Sequence, residues 1–418
     1  GRYETTFVRE QLMDTIAAEL DLDPLAVRRT NLIAADEMPY ERPFEIGGKP
    51  IIYDSGDYPE SLARFLDHVD YDAVQAEMVE RRASGEMAGA AIICFVELGG
   101  DGPFDDVRVE MDTDGRVEVI TGVASVGQGV ETVIAQICAD TLGIDYAGIT
   151  VTHGQTDRIA RGQGARASRV TVMTGNATHK AASGVRGMLL EKAAELLQSP
   201  VETLEISDGV IGIVEGLGEG PSVTVAAAAA EILRGQNAPR IAVEESFEND
   251  RATYSFGAQL AVVVVDPLTA GLTVERFAVV YDIGRAVNPM LVEGQLVGGA
   301  VQGIGGALFE EFLYDETGQP LSVSFADYLM PTAAEVPDVE CLVLEDSPST
   351  TNPLTLKSGG DPGITGAGAA IAAAIGDAIG RPGAIKRLPV TPLRLRAILR
   401  GDADRKQEKN NAENGVST

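Results

Sequence analysis

YSFGAQLAVVVVD (residues 254–266) and GLTVERFAVVYDIG (271–284) are long runs rich in β-branched residues, and together they read as a hairpin of long strands. Asn288-Pro289 then starts a helix that the pattern carries from Met290 to Phe312. This helix holds Gly294, Gly298, Gly299, Gly303, Gly305 and Gly306, although each interior glycine costs about 1 kcal/mol relative to alanine. Such a composition requires something to approach the helix backbone closely.

Upstream, GAAIICFVE and VRVEMDTDGRVEVITG alternate with period two, and Asp114-Gly115 folds the second run into another hairpin. Val130, Val133, Ile134, Ile137, Cys138, Thr141 and Leu142 follow helical spacing, with Gly143 as the closing residue. A strand at ITVTHG and a Gly/Arg loop lead into a small-residue helix over Ser168–Leu197. Val8, Leu12, Ile16 and Leu20, at steps of four, predict an amphipathic helix over residues 4–20, and Asp23-Pro24 starts a second one. Residues 34–56 read as loop and 58–82 as one further helix. Downstream come strands near Val339–Leu344 and a Gly-rich turn at Leu356 feeding an Ala-rich helix to Gly380. The expected architecture is α+β, with lobes at residues 1–245 and 246–400 and a disordered polar tail over 401–418.

Among the 418 residues, 33 Lys+Arg stand against 63 Asp+Glu, a net charge of -30. That excludes a reader of nucleic acid or of an anionic membrane, since both need a basic face. The hydrophobic fraction of 44% is enough to close a large core. Cys94, Cys138 and Cys341 are far apart and fit no metal spacing or disulfide framework. With no leader-like opening and no apolar run long enough to span a bilayer, the expected location is the cytoplasm.

Four segments could carry chemistry. Ser125-Val126-Gly127-Gln128-Gly129 lies between a strand and a helix, where free backbone N–H groups suit an anion, although a plain strand-to-helix turn also fits. Thr132 stands where a dinucleotide fingerprint needs its third glycine. Residues 161–171 concentrate Arg161, Arg166 and Arg169 with Ser168 and Thr171, which suits phosphate and equally a solvated basic loop. Gln302 could hydrogen-bond a ligand or a neighbouring backbone group. Gly359-Gly360-Asp361-Pro362-Gly363 is a good turn sequence that also offers Asp361 as a general base. His68, His153 and His179 form no metal-ligand pair.

Six stretches, in this order, resemble the molybdenum-binding large subunit of the xanthine dehydrogenase and aldehyde oxidase family. They are GRYETTFVREQLMDTIAAELDLDPLAVRRTNLI, SVGQGVETVIAQICADTLGI, GARASRVTVMTGNA, VVYDIGRAVNPMLVEGQLVGGAVQGIGGALFEEFL, FADYLMP and LKSGGDPGITGAGAAIAAAIGDAI. The likeness runs from Gly1 to about residue 395 and corresponds to the C-terminal part of that subunit.

The resemblance implies a molybdenum ion held by a pterin dithiolene, in a cytosine dinucleotide form, with no side chain as direct ligand. It places Val126, Gly127 and Gln128 on the pterin, with Gly129 and Gly360 also at the cofactor. Ala167, Ser168, Arg169, Val170 and Thr171 would wrap the pterin and its phosphate, and Gln302 would stand near the apical oxo group. Asp361 takes the place of the family's catalytic Glu. Losing one methylene retracts the carboxylate by roughly 1.5 Å, and a displacement near 1 Å can cost about 100-fold in a positioned proton transfer. Either the loop moves forward, a water relays the proton, or hydroxylation is lost and the chain serves other redox chemistry or assembly. The expected activity is hydroxylation of an N-heterocycle or aldehyde with water as oxygen donor. The expected partners are a second chain carrying the N-terminal half in a split subunit, an iron-sulfur subunit with 2Fe-2S clusters, and an FAD subunit.

Overall fold

The structure, a computed structural model, describes residues 1–214 and 220–401. The chain opens with α1 (Arg2–Glu19), α2 (Pro24–Thr30), β1 (Tyr40–Ile46), β2 (Lys49–Tyr53), α3 (Tyr58–His68) and α4 (Tyr71–Ala83). It continues through β3 (Met87–Gly99), β4 (Asp105–Met111), β5 (Val117–Thr121), α5 (Val130–Leu142), β6 (Ile149–Thr152) and α6 (Val170–Leu197). There follow β7 (Leu204–Ser207), β8 (Val210–Ile213), β9 (Ser222–Thr224), α7 (Val225–Leu233), β10 (Ile241–Phe247), β11 (Thr253–Val265) and β12 (Leu272–Asp282). The last elements are α8 (Pro289–Leu308), β13 (Val339–Leu344), α9 (Pro362–Thr365), α10 (Ala367–Ala378) and α11 (Pro392–Leu399).

The expected hairpin of long strands is β11–β12, and it forms the middle of a sheet ordered β13-β12-β11-β3. Alternate residues go to opposite sides. Ile93, Phe95, Val263, Phe277 and Val279 pack with Leu296, Ala300 and Ile304 of α8 and with α10. Ile92, Leu260, Val262 and Val280 pack with Leu62, Phe65 and Met78 of α3 and α4. Helices on both faces explain why the hydrophobic run of β11 is nearly continuous. A second sheet, β10-β4-β5-β6, is covered by α5, α6 and α7 around its own core. The α+β class therefore holds. The boundary expected at 245/246 falls inside β10, and the strands before it are divided: β3 pairs with β11 in the first sheet, whereas β4, β5 and β6 belong to the second.

The close approach demanded by the α8 glycines is made by α9. A Cβ on Gly299 would lie 2.9 Å from the Gly363 Cα and the Ile364 nitrogen, and one on Gly363 would strike the Leu296 carbonyl. The backbone contact fixes the turn that carries Asp361.

Several expectations change. Residues 34–56 are not all loop, because β1 and β2 form a hairpin whose alternation is hidden by Pro43 and by a bulge between Glu41 and Glu45. The single helix expected over 58–82 divides at Asp70, which takes φ 49° and caps α4. α8 ends at Leu308, four residues early. The apolar stripe of α1 faces outward: Val8, Leu12, Ile16 and Leu20 are exposed, and Thr6, Glu10, Gln11 and Asp14 are buried. The buried acids are neutralised by Arg28, which donates from Nε to Glu10 at 2.7 Å and pairs with Asp14 at 2.8 Å. Beyond Gly401 the expected tail lies outside the described residues. Among the described residues no helix is long and apolar enough to cross a membrane.

Gly363→Val should destabilise the chain by about 3 kcal/mol or more through overpacking against rigid backbone. Urea unfolding of the two proteins measures the difference.

Candidate active site

Both sheets contribute to one cavity of about 310 Å³. Its walls are the turn before α5, the loop leading into α6, the first turns of α8, and the segment Lys357–Asp361. Two side-chain bridges hold these parts in register. Asn288, the N-cap of α8, donates to Gln136 of α5 at 3.0 Å. The buried Asn176 of α6 donates to Asn352 at 3.1 Å, and Asn176 Oδ1 in turn accepts the Leu354 N–H.

Of the residues singled out in the sequence, Val126, Gln128, Ala167, Ser168, Arg169, Val170, Thr171, Gly360 and Asp361 all line this cavity. Gly127 sits between two lining residues with φ 98°, and Gly129 lines a smaller recess with Val170 and Thr171. Gln302 does not reach the cavity. It is exposed on α8, seven residues and roughly 10 Å along the helix axis from Gln295, which is the glutamine of this helix that lines the site.

The arginines of residues 161–171 separate into two kinds. Arg169 is wholly buried, paired with Asp105 at 2.9 Å and donating to the Asp101 and Phe104 carbonyls at 2.8 Å. Its guanidinium holds the loop and is not free for phosphate. Arg161 is likewise occupied by Asp106. Arg166, in contrast, is exposed at the cavity with no acidic partner among the described residues, and so is Arg285 from the end of β12. On a chain of net charge -30, two unpaired guanidiniums at one cavity form a local anion site.

The loop between them is strained. Ala167 and Ser168 have φ of 47° and 48°, which costs non-glycine residues of order 1 kcal/mol each. The strain places the Ser168 hydroxyl, buried and without a hydrogen-bond partner, against Gly360, where a Cβ would lie 2.7 Å from it. Gln128 Oε1 accepts the Val126 N–H at 2.8 Å, which leaves its amide N–H groups to donate elsewhere.

Sequence reasoning did not single out Arg285, Gln295 or Lys357. Lys357 is buried in the cavity wall and donates to the Ser55 carbonyl at 3.1 Å; burial pulls its ammonium below the ordinary value, against the attraction of Asp282 and Asp54. Its signal was present, a lysine beside the SGGDPG turn, but nothing local shows that it is buried. Behind the same turn, burial pushes Glu97 up to about 7, against the opposing pull of Thr365 and Arg2.

The molybdopterin cofactor-binding domain family matches residues 64–337. The chain belongs to this family. One relative is the 6-hydroxypseudooxynicotine dehydrogenase complex subunit gamma of Paenarthrobacter nicotinovorans, 40% identical over 94% of this chain and 50% of its own length. Reconstituted CO dehydrogenase from Oligotropha carboxidovorans superposes with a TM-score of 0.88 at 29% identity, covering 96% of this chain and 51% of that one. Quinoline 2-oxidoreductase from Pseudomonas putida 86 gives 0.86 at 30% identity, over 94% and 52%. The chain thus spans about half the length of the curated relatives it matches.

Two predictions follow the geometry. Arg169→Met should cost about 3–5 kcal/mol in urea unfolding by leaving Asp105 buried and unpaired. Arg166→Met and Arg285→Met should leave stability within about 0.5 kcal/mol while each weakens inorganic pyrophosphate about fivefold by calorimetry. The raised Glu97 value also sets a pH dependence. The folded state holds this proton more tightly than the unfolded state does, so the contribution to stability is complete below about 4.5 and is lost as pH rises through about 7. Glu97→Gln should flatten that slope, worth about 3 kcal/mol across the window.

Proposed function

We propose that this chain is the cofactor-binding part of a multi-subunit molybdenum oxidoreductase that hydroxylates a small N-heterocycle or aldehyde with water as oxygen donor. The observation that carries the reading is the convergence of two unpaired arginines, a strained serine loop and Asp361 on one cavity. These residues fit a pterin nucleotide. Arg166 and Arg285 would hold its phosphates, consistent with the cytosine dinucleotide form. The amide groups of Gln128 and Gln295 and the hydroxyl of Ser168 would meet the edge of the pterin.

When bound, the molybdenum pterin supplies the two-electron redox chemistry. The chain's own part is to orient and to move a proton. Asp361 stands at the cavity wall, capping a turn anchored by Gln259, whose amide donates to the Pro362 carbonyl at 3.0 Å and to the Gly363 carbonyl at 2.7 Å. Its carboxylate accepts the proton of the attacking hydroxyl. The Lys357 ammonium, on the same wall, favours anionic groups in the cavity.

Electrons would leave to 2Fe-2S clusters and FAD on partner subunits. The substrates of the relatives, a nicotine derivative, quinoline and carbon monoxide, favour the N-heterocyclic class for two of the three. A polypeptide equivalent to the unmatched half of these relatives would complete the site. Its support is the apolar surface left open: the outward stripe of α1, and Phe312, Val323, Phe325, Leu329 and Met330 in the segment after α8, with Phe325 81% exposed.

Asp361→Asn should abolish dye reduction driven by quinoline or 6-hydroxypseudooxynicotine in the assembled enzyme, with molybdenum content unchanged. Retained turnover would remove Asp361 from the mechanism. Phe325→Asp with Leu329→Asp should leave the melting of the chain alone unchanged and weaken co-purification with that complementary polypeptide at least about tenfold.

A further inference from the structure

Glu97 lies directly behind the turn that carries Asp361 and has no part in the reading above. It is wholly buried near the end of β3, on the sheet face that packs against α8 and α10. The register shows which polar groups share that face. Glu97 is opposite Ser255, and two residues on, Gly257 is opposite both Phe95 and Tyr281. Gln259, two residues further, is the side chain that holds the Pro362 and Gly363 carbonyls. A polar strip therefore crosses an otherwise apolar face, beneath α9.

The link between Glu97 and Asp361 is one hydroxyl. Thr365 Oγ1 stands 2.7 Å from Glu97 Oε2 and 2.9 Å from the Asp361 carbonyl, and it has only one proton to give. An ionised Glu97 takes that proton. A protonated Glu97 can instead donate to Thr365, whose own proton then goes to the Asp361 carbonyl and tightens the turn. The charged and titratable groups that face Glu97 are Arg2 from α1, at 2.8 Å, Asp361 from the cap of α9, and Tyr281 from β12. Arg2 favours the ionised form, and Asp361 opposes it. Burial brings the balance to about 7.

We infer that Glu97 is a positioning residue for Asp361: through the single proton of Thr365 it determines how the turn bearing that carboxylate is held at the cavity. The effect on turnover rests on the proposed role of Asp361, but the effect on the turn does not.

The test is amide hydrogen exchange at Ile364 and Thr365, whose N–H groups both donate to the Asp361 carbonyl at 3.2 Å. It is followed in the full chain from pH 5 to 9 after correction for intrinsic rates. Protection in the wild-type chain should fall with a midpoint near 7. Glu97→Gln should abolish the pH dependence, and Thr365→Val should abolish it and lower protection about tenfold. Thr365→Ser, which restores the hydroxyl, should recover the wild-type profile and serves if Glu97→Gln does not fold. In the assembled enzyme, Glu97→Gln should remove the inflection of kcat/KM near pH 7 that ionisation of Glu97 produces, with cofactor content unchanged. Flat protection in the wild-type chain, matched by both Thr365 variants, would overturn the inference. Turnover that survives Asp361→Asn would overturn the proposed catalytic role while the exchange profile still reports on Glu97.

Discussion

Arg169 is the largest wholly buried side chain described, and the loop at the cavity depends on its pairing with Asp105. An isolated buried guanidinium would be prohibitive, but every direction of this one is met by a carboxylate or a carbonyl. Asp105 also accepts from Thr174 and from the Gln163 backbone, so the first strand of the second sheet, the Gly/Arg loop and α6 are tied at one point. That tie keeps Ala167 and Ser168 in a conformation that neither would adopt alone. The strain is located where the cavity needs a hydroxyl.

A second constraint works by absence of atoms. Gly299 and Gly363 allow the backbones of α8 and α9 to touch, and Gly360 allows Ser168 to stand against the same turn. The Asp361 turn is thus clamped between a helix backbone and a strained loop, with Gln259 beneath it. Positions with no side chain carry as much of the site's definition as those with one.

The distribution of charge fits this division. The chain is strongly acidic overall, the buried Glu10 and Asp14 are paired with Arg28, and Arg166 and Arg285 stand at the cavity with no acidic partner among the described residues. Apolar residues remain outward on α1 and in the segment after α8, Phe325 among them.

The sequence by itself determined the hairpins, the glycine-rich helix and the segments that meet at the cavity, because period-two alternation, Asn-Pro and Gly punctuation are local signals. It also carried the family likeness, since those segments keep their order along the chain. Only the tertiary structure decided what each residue does there. Arg169 and Arg166 are equivalent in sequence, yet one is a buried structural pin and the other is exposed at the cavity, because Asp105 lies on a strand 64 residues from Arg169. Gln302 and Gln295 are on the same helix, and the length of α8 alone puts one at the cavity and the other outside it. The stripe of α1 was legible as a pattern, but which side is covered depends on Arg28 meeting two acids from another helix. Periodicity reports that a face is distinct; what it faces is decided by partners that are distant in the chain.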